Sequence, residues 1–364
     1  MQISEIISFL ESVAHPSLQE NYDNAGLITG NPGWECTGII CCLDSTEEVI
    51  AEAINKKANL VIAHHPIIFG GLKKINGKNY VERTVIDAIR HDIAIYAIHT
   101  NLDNVIEGVS GKMAERIGLR NRTVLLPKEK TLKKLFVFVP IAHADAVRNA
   151  VFAAGGGEIG NYSECSFNME GTGTFKAGSS AQPFVGEVDK QHQEQEIKVE
   201  IIFHQHLENR ILQAVKAVHP YEEMAYDIVP LANQHAGTGS GLIGELETPM
   251  EETAFLAHLK QVFGLKVIRH TRLQKKPVER VAVCGGAGSF LINNALRAGA
   301  DLYITGDIKY HEFFDADNRM VVADIGHYES EQFTIELLQE LLEQNFPNFA
   351  VLKTGIITNP VYYT

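Results

Sequence analysis

The alternation of apolar runs with amphipathic stretches predicts a chain built from short strands and helices. Apolar residues recur at helical spacing in the first stretch, at Ile3, Ile6, Ile7, Leu10 and Val13. The later run 59–63 favours a strand, and it ends at two adjacent histidines, His64 and His65, followed by Pro66. Two imidazoles at the carboxyl end of a strand lie where α/β sheets usually bind ligands. Because neighbouring strand residues point to opposite faces, the pair could serve two metal ions rather than chelate one.

One strand–helix–strand pattern occurs twice in the chain. In residues 38–65 an apolar run is followed by a helical stretch and a second apolar run. Residues 280–307 repeat this order, with Asp307 at the position that His65 occupies in the first copy. Such a pattern is typical of βαβ units with parallel strands. The sequence therefore predicts an α/β fold made of two related lobes.

Each copy continues into a further apolar strand that ends in a histidine, with an acidic residue four positions later. These residues are His99 and Asp103 in the first copy, and His327 and Glu331 in the second. If the tetrad begins a helix, its histidine and its acid share one face. Facing copies would then gather a set of side chains around one cleft, namely His64, His65, His99, Asp103, Asp307, His327 and Glu331.

This set has the chemistry of a metal site. Imidazoles and carboxylates without thiolates are typical ligands of a catalytic or exchangeable site for Zn, Fe, Mn or Mg. A bridging carboxylate would complete a dinuclear centre, in which two metals lie about 3.5–4 Å apart. The alternative is that these are strand-end histidines hydrogen-bonded to backbone. For any single histidine that alternative is the better interpretation, but the clustering of titratable groups favours the metal site.

The composition narrows the class of protein. The 364 residues include 32 Lys and Arg against 45 Asp and Glu, and the net charge of −13 argues against a nucleic-acid backbone as the main partner. No apolar run approaches the roughly 18 residues needed to span a membrane. The N-terminus carries no basic leader, and the five cysteines form neither a disulfide framework nor a C-x-x-C zinc pattern. We therefore expect a cytoplasmic protein without a membrane or nucleic-acid partner.

A stretch without the repeated pattern separates the two copies. Residues 126–236 contain two strand–helix pairs with further strands, between a polar joint and a glycine-rich joint. Two βαβ halves of this kind describe a small ferredoxin-like α+β domain, inserted into a host domain of residues 1–125 and 237–364. Within it, His204 and His206 could bind a metal. Without a third ligand nearby, a solvated strand end is the better interpretation of this pair.

Five motifs, in this order, closely resemble those of the Nif-three-like family, whose members are also known as GTP cyclohydrolase type 2 homologues. The matching stretches are 21–27 (NYDNAGL), 63–66 (AHHP), 99–103 (HTNLD), 305–311 (TGDIKYH) and 326–331 (GHYESE). The inserted segment looks like the PII/CutA-like domain of the longer bacterial members. The resemblance covers essentially the whole chain.

The resemblance implies a dinuclear centre with two divalent metal cations per chain. By motif, His65 and Asp103 would hold one metal. His64 and His327 would hold the other, and Glu331 would bridge the two. The resemblance also implies a toroidal homohexamer whose metal sites face an inner cavity.

The activity implied by the resemblance is the opening of the guanine imidazole ring of GTP. Such a metal-dependent hydrolysis needs a proton donor to the leaving nitrogen. His99, Asp307 and His311 match pocket positions of the family, and His99 or His311 could serve as this catalytic acid. The loop 285–288 could hold a phosphate through its backbone N–H groups, although a plain tight turn is the better interpretation.

The alternative to a hydrolase is a non-enzymatic metal-handling or regulatory protein, which would use the same ligands to store or deliver a metal. The inserted domain would then be a sensor or a docking surface. Dinuclear histidine–carboxylate sites so often activate water that the sequence favours a metal-dependent hydrolase. Its substrate would be a nucleotide, a related heterocycle or another small molecule.

Overall fold

Strands and helices alternate along the chain in the structure, a computed structural model that describes residues 1–364. The strands are β1 (Gly26–Thr29), β2 (Ile39–Cys42), β3 (Leu60–Ala63), β4 (Ala94–Ala97), β5 (Arg120–Pro127), β6 (Leu132–Pro140), β7 (Phe167–Lys176), β8 (Gln191–His204), β9 (Tyr226–Pro230), β10 (Gly239–Glu251), β11 (Arg269–His270), β12 (Pro277–Ala287), β13 (Leu302–Gly306), β14 (Val321–Asp324) and β15 (Val351–Lys353).

The α-helices are α1 (Ile3–Val13), α2 (Glu47–Lys56), α3 (Tyr80–Arg90), α4 (Thr100–Asp103), α5 (Val109–Ile117), α6 (Ala144–Ala153), α7 (Glu208–Val218), α8 (Glu252–Phe263), α9 (Ile292–Arg297), α10 (His327–Glu331) and α11 (Thr334–Asn345). Short 3₁₀ helices cover Pro16–Leu18, Ile141–His143, Gln205–Leu207, Ser289–Leu291 and Tyr310–Ala316. None of the helices combines the length and the apolar character that crossing a membrane requires.

The chain forms two compact units. The first combines Met1–Pro127 with Gly237–Thr364, and the second is Lys128–Ala236. The first unit contains a five-stranded sheet, in the order β1-β4-β3-β2-β15, and a six-stranded sheet, in the order β11-β14-β13-β12-β10-β5. Strands β2, β3 and β4 are parallel neighbours, and so are β12, β13 and β14. The predicted mixed α/β class is confirmed, and each copy of the repeated pattern forms a parallel three-strand core.

Parallel strands that are covered on both faces read as continuous apolar runs rather than as alternating ones. Every residue of β2, β3 and β4 is buried. The adjacent cysteines of β2 show the two faces, because Cys41 packs with the cluster of Ile3, Leu10 and Leu338, whereas Cys42 packs with the opposite cluster. These cysteines are therefore core residues.

The carboxyl ends of the parallel strands carry the candidate site residues. His64 and His65 follow β3, and His99 follows β4 by two positions. Asp307 follows β13, and His327 follows β14 at the start of α10. Sheets of this type bind their ligands at the carboxyl ends of their strands.

The second unit is an antiparallel sheet in the order β7-β8-β6-β9, with α6 after β6 and α7 after β8. This β-α-β-β-α-β order with its strand arrangement is the ferredoxin-like topology. Its core packs Val147 and Val151 of α6 and Ile211 of α7 against Leu135 and Ile201 of the sheet.

The second unit enters the first where a hairpin turn would otherwise lie. Strands β5 and β10 are antiparallel neighbours, and Pro127 lies opposite Gly239. We expect a protein in which residues 128–238 are replaced by a two-residue Asn-Gly turn to fold and to bind metal, because that turn suits such a strand pair. Circular dichroism, thermal unfolding and metal analysis test this. An unfolded product would show that the first unit depends on the insert.

Candidate metal centre

Both His-x-x-x-acid tetrads begin a short helix, as their spacing predicts. His99 immediately precedes α4, which ends at Asp103, and α10 runs from His327 to Glu331. The histidine and the acid of each tetrad therefore lie one turn apart on the same face. His64 and His65 directly follow β3, and their N–H groups donate to the carbonyls of Cys42 and Leu43.

The first group of candidate ligands consists of His64, Asp103 and Glu331. His64 Nε2 lies 3.6 Å from Asp103 Oδ1 and 3.7 Å from Glu331 Oε1. His64 is completely buried, and both its Nε2 and Asp103 Oδ1 are buried without a hydrogen-bond partner. A buried polar atom left unsatisfied costs about 1–3 kcal/mol. Two such atoms facing each other fit a cation between them.

The second group consists of His65, His327 and Glu331. The Nε2 atoms of His65 and His327 lie 3.4 Å apart, and Glu331 Oε2 lies 2.9 Å from the first and 3.2 Å from the second. Glu331 thus turns one carboxylate oxygen to each group. This is the arrangement that a bridging ligand requires.

This grouping differs from the one that the family resemblance implies, in which His65 stands with Asp103 and His64 with His327. The two side chains leave the end of β3 in different directions. Nε2 of His64 lies near Asp103 at the end of α4, whereas Nε2 of His65 lies near Glu331 and His327 of α10.

Each candidate imidazole uses its Nδ1 for a hydrogen bond within the protein. The acceptors are the Ile98 carbonyl for His64 (2.9 Å), Asp44 for His65 (2.8 Å), Asp307 for His327 (2.7 Å) and Asp23 for His99 (2.8 Å). Metal-binding histidines almost always make this second contact, which fixes the ring and directs Nε2 to the ion. Sequence reasoning gave Asp23 and Asp44 no role, although Asp23 lies in the first motif and Asp44 at a strand end.

Mutual contacts strongly perturb the charges in this cluster. Burial lowers the pKa of His65, but hydrogen bonds to Asp44 and Glu331 outweigh it and raise that pKa to about 10. Burial likewise lowers the pKa of His327, and Glu331 and Asp307 raise it to about 9. Burial and the charge of Glu331 hold the pKa of Asp103 well above its usual value. Without a cation, protons therefore occupy positions that a cation would take.

Metal binding should release protons. At pH 7 His65 and His327 are protonated, since their pKa values are about 10 and about 9. Imidazoles coordinate metals only when neutral, so we expect about two protons to leave and affinity to rise with pH up to these pKa values. Calorimetric titration of metal-free protein in buffers of different ionisation enthalpy measures the release. A heat that does not depend on the buffer would contradict this charge assignment.

The structure brings His99 to the cluster but not His311. The His99 ring lies 5.3 Å from that of His64 and 5.4 Å from that of His65, centre to centre, and the three form a further group of possible ligands. His311 is exposed on the 3₁₀ helix Tyr310–Ala316 and does not line the cleft beside the cluster.

The glycine loop 285–288 is a tight turn rather than a phosphate cradle. The N–H of Gly286 donates to Ser330 Oγ and that of Gly288 donates to Thr305 Oγ1, both at 2.9 Å. These donors are thus already used within the protein. A Cβ atom at Gly286 would lie 2.3 Å from Glu331 Oε1, so this glycine makes room for the Glu331 carboxylate.

A cleft of about 1070 Å³ opens beside the cluster, and His65, His99, Asp103, His327 and Glu331 line it. Its other walls include the aromatic side chains of Tyr22, Phe69, Phe290, Tyr328 and Tyr363. The Phe69 ring lies 5.9 Å from that of His99 and 6.3 Å from that of Tyr22. The cleft therefore offers aromatic side chains next to the candidate metal ligands.

The fold and the cluster define a mixed α/β protein with His, Asp and Glu groups that could hold metal ions. The profile of the family described as Duf34/NIF3 (NGG1p interacting factor 3) matches residues 1–360. A Halalkalibacterium halodurans protein named GTP cyclohydrolase 1 type 2 homolog is 39% identical over 360 residues, which cover 98% of this chain and 97% of that protein. The chain belongs to the Duf34/NIF3 family, as its motifs predict.

Solved structures agree with this assignment. A Bacillus cereus protein related to NIF3 has a TM-score of 0.85 and 38% identity, and the match covers 100% of this chain and 99% of that one. A Staphylococcus aureus protein has a TM-score of 0.80 and 28% identity, with the same coverage. The two-unit chain is thus similar over its whole length to proteins of known structure.

Proposed function

We propose that this protein binds two divalent cations per chain and hydrolyses a nucleotide or a related heterocycle. The observation that carries the proposal is the pair of buried atoms without hydrogen-bond partners, His64 Nε2 and Asp103 Oδ1, beside a carboxylate that serves both groups. The donor set suits Zn, Fe, Mn or Mg. Relatives named GTP cyclohydrolase 1 type 2 homolog make GTP the first candidate substrate.

Divalent ions bound at such a site polarise substrate oxygens and acidify water. The protein's own residues would position the ligands and the substrate, and one of them would donate a proton to the leaving group. Asp44 and Asp307 orient His65 and His327, and the aromatic wall formed by Tyr22 and Phe69 can stack against a planar base. His99 is the best-placed proton donor to a leaving nitrogen, because its Nδ1 is held by Asp23 and its Nε2 remains for the cleft.

The Asp23 carboxylate holds the His99 imidazole in place, and it is negatively charged at neutral pH. Burial raises the pKa of Asp23, but hydrogen bonds from His99 and Thr100 outweigh it and lower that pKa to about 2. A charged acceptor on Nδ1 fixes the orientation of the ring and leaves Nε2 as the nitrogen that faces the cleft. We do not assign His311 a catalytic role, since it lies outside the cleft.

Metal-replete protein should turn over GTP or another member of a nucleotide panel, and His99→Gln should lower that turnover about 10²–10⁴-fold, as loss of a general acid does. Formate release reports ring opening, whereas phosphate release indicates a phosphohydrolase. The matched control is His311→Gln, which should keep full turnover. Activity must also vanish in Glu331→Gln protein purified identically, which excludes a contaminating enzyme.

Two outcomes would count against this assignment. If His99→Gln loses metal in proportion to activity, His99 is a ligand and not the proton donor. If metal-replete protein turns over nothing in the panel but transfers its metal to an acceptor protein, the hydrolase proposal is wrong.

That second outcome would favour a metal-handling or regulatory protein. One observation supports this alternative: the second unit is a separate module with the ferredoxin-like topology. We propose that the second unit is a PII/CutA-like domain that acts as a sensor or as a docking surface. We also propose a cytoplasmic homohexamer, and light scattering of the purified protein tests the assembly.

A further inference from the structure

Three histidines of the second unit lie together, and none of them belongs to the ligand groups described above. His204 ends β8, and His206 lies in the 3₁₀ turn that follows. Their rings are stacked with centres 5.6 Å apart. The ring of His235, from the segment after β9, lies 4.7 Å from that of His204 in an edge-on arrangement. The structure therefore supplies the third imidazole that the sequence pattern H-x-H lacked.

The carboxylate of Glu158 lies near two of the three rings, those of His204 and His235. Burial lowers the pKa of both His204 and His235, while the nearby charge of Glu158 raises both. Glu158 is exposed, and Gly157 before it is tied to the sheet by a hydrogen bond from its N–H to the Ile202 carbonyl. Glu158 therefore lies close to the end of β8, where His204 is located.

This cluster marks the end of the sheet where the chain enters and leaves the second unit. His204 lies opposite Leu132, the first residue of β6, and the N–H of Gln205 donates to the Thr131 carbonyl. The N–H of Leu231 donates to the Leu132 carbonyl as the chain leaves β9. His235 is thus part of the exit segment, whereas His204 and His206 belong to the end of β8.

We propose that His204, His206 and His235 form a separate site for a divalent metal that prefers imidazole, such as Zn, Ni or Cu, with Glu158 as an oxygen ligand. His206 and Glu158 are exposed, so their side chains can rotate onto an ion held by the other two histidines. A bound ion would fasten the exit segment 231–236 to the end of β8. It would thereby stiffen the return connection of the insert.

Zn²⁺ alone, added to the full-length chain, tests the site. Equilibrium dialysis should show one ion fewer per chain in His204→Ala and in His235→Ala than in the wild type. The control His143→Ala removes another histidine of the same unit and should bind as the wild type does. If both ligand variants fold and bind as much Zn²⁺ as the wild type, the proposal is wrong.

Hydrogen exchange distinguishes Zn²⁺ bound at this site from Zn²⁺ bound at the Glu331 cluster. This test does not need a His204 variant, which could destabilise the sheet because His204 is half-buried. Zn²⁺ should slow amide exchange in residues 231–236 by at least tenfold in the wild type and in Glu331→Gln. The same addition should leave exchange unchanged in His235→Ala, whose substituted residue lies in a connecting segment outside the sheet. Equal protection in His235→Ala would overturn the proposal.

Discussion

Glu331→Gln should lower the metal content from about two ions per chain to nearly none. Glu331 is the one side chain whose two oxygens face both ligand groups, so its charge acts on both ions. Changing a residue that merely supports a ligand costs about 10–100-fold in metal affinity, and removing a shared anionic ligand should cost at least as much at each site. Metal analysis after dialysis against dilute chelator measures this loss.

Glu329→Gln is the matched control, because it makes the same change two residues away on α10. Glu329 accepts a hydrogen bond from Asn359 and belongs to none of the ligand groups. It should therefore keep both ions. A Glu331→Gln protein that retains both ions at full occupancy would show that Glu331 does not bridge them.

Single-ligand variants separate the two groups. His64→Ala and Asp103→Ala should empty the same site, because their ligand atoms lie 3.6 Å apart. His327→Ala should empty the other site, where its Nε2 faces that of His65 at 3.4 Å. If His64→Ala and His327→Ala instead emptied the same site, the result would support the grouping implied by the family motifs.

The parallel cores could be predicted from the sequence because strands covered on both faces leave a local signal. Continuous apolar runs such as 60–63 and 302–306 need no alternation when helices cover both sides of a sheet. The four-residue spacing within each tetrad is also local, since it follows from the helical repeat. Both features depend on residues that are close together along the chain.

Contacts between distant segments could not be predicted in this way. Asp44 and His65 meet only because β2 and β3 are parallel neighbours that end at the same edge. The third imidazole beside His204 comes from the exit segment far along the chain. The grouping of ligands depends on which side His64 and His65 take, and a motif does not record side-chain direction.

Gly286 must be small because it lies against the Glu331 carboxylate. It has a φ of 62°, and a Cβ placed on it would lie 2.3 Å from Glu331 Oε1 and 3.4 Å from His327 Cε1. Nothing in the motif spacing reveals this contact, because β12 and α10 meet only in the folded chain. The backbone at Gly286 therefore limits where the Glu331 carboxylate can lie.

Gly286→Ala should reduce metal affinity by at least tenfold at both ligand groups, because the added methyl group displaces the carboxylate that serves both. Gly264→Ala is the matched control, since Gly264 has a φ of 67° but no neighbouring atom within 4 Å of the position that a methyl group would take. Each change should cost about 1–2 kcal/mol of backbone strain in the left-handed region. Thermal unfolding should then show at least as much destabilisation in Gly286→Ala as in Gly264→Ala, whereas metal titration should show weaker binding only in Gly286→Ala. Equal metal affinity in the two variants would mean that Glu331 can move aside without losing its ions, and that the position of its carboxylate does not limit binding.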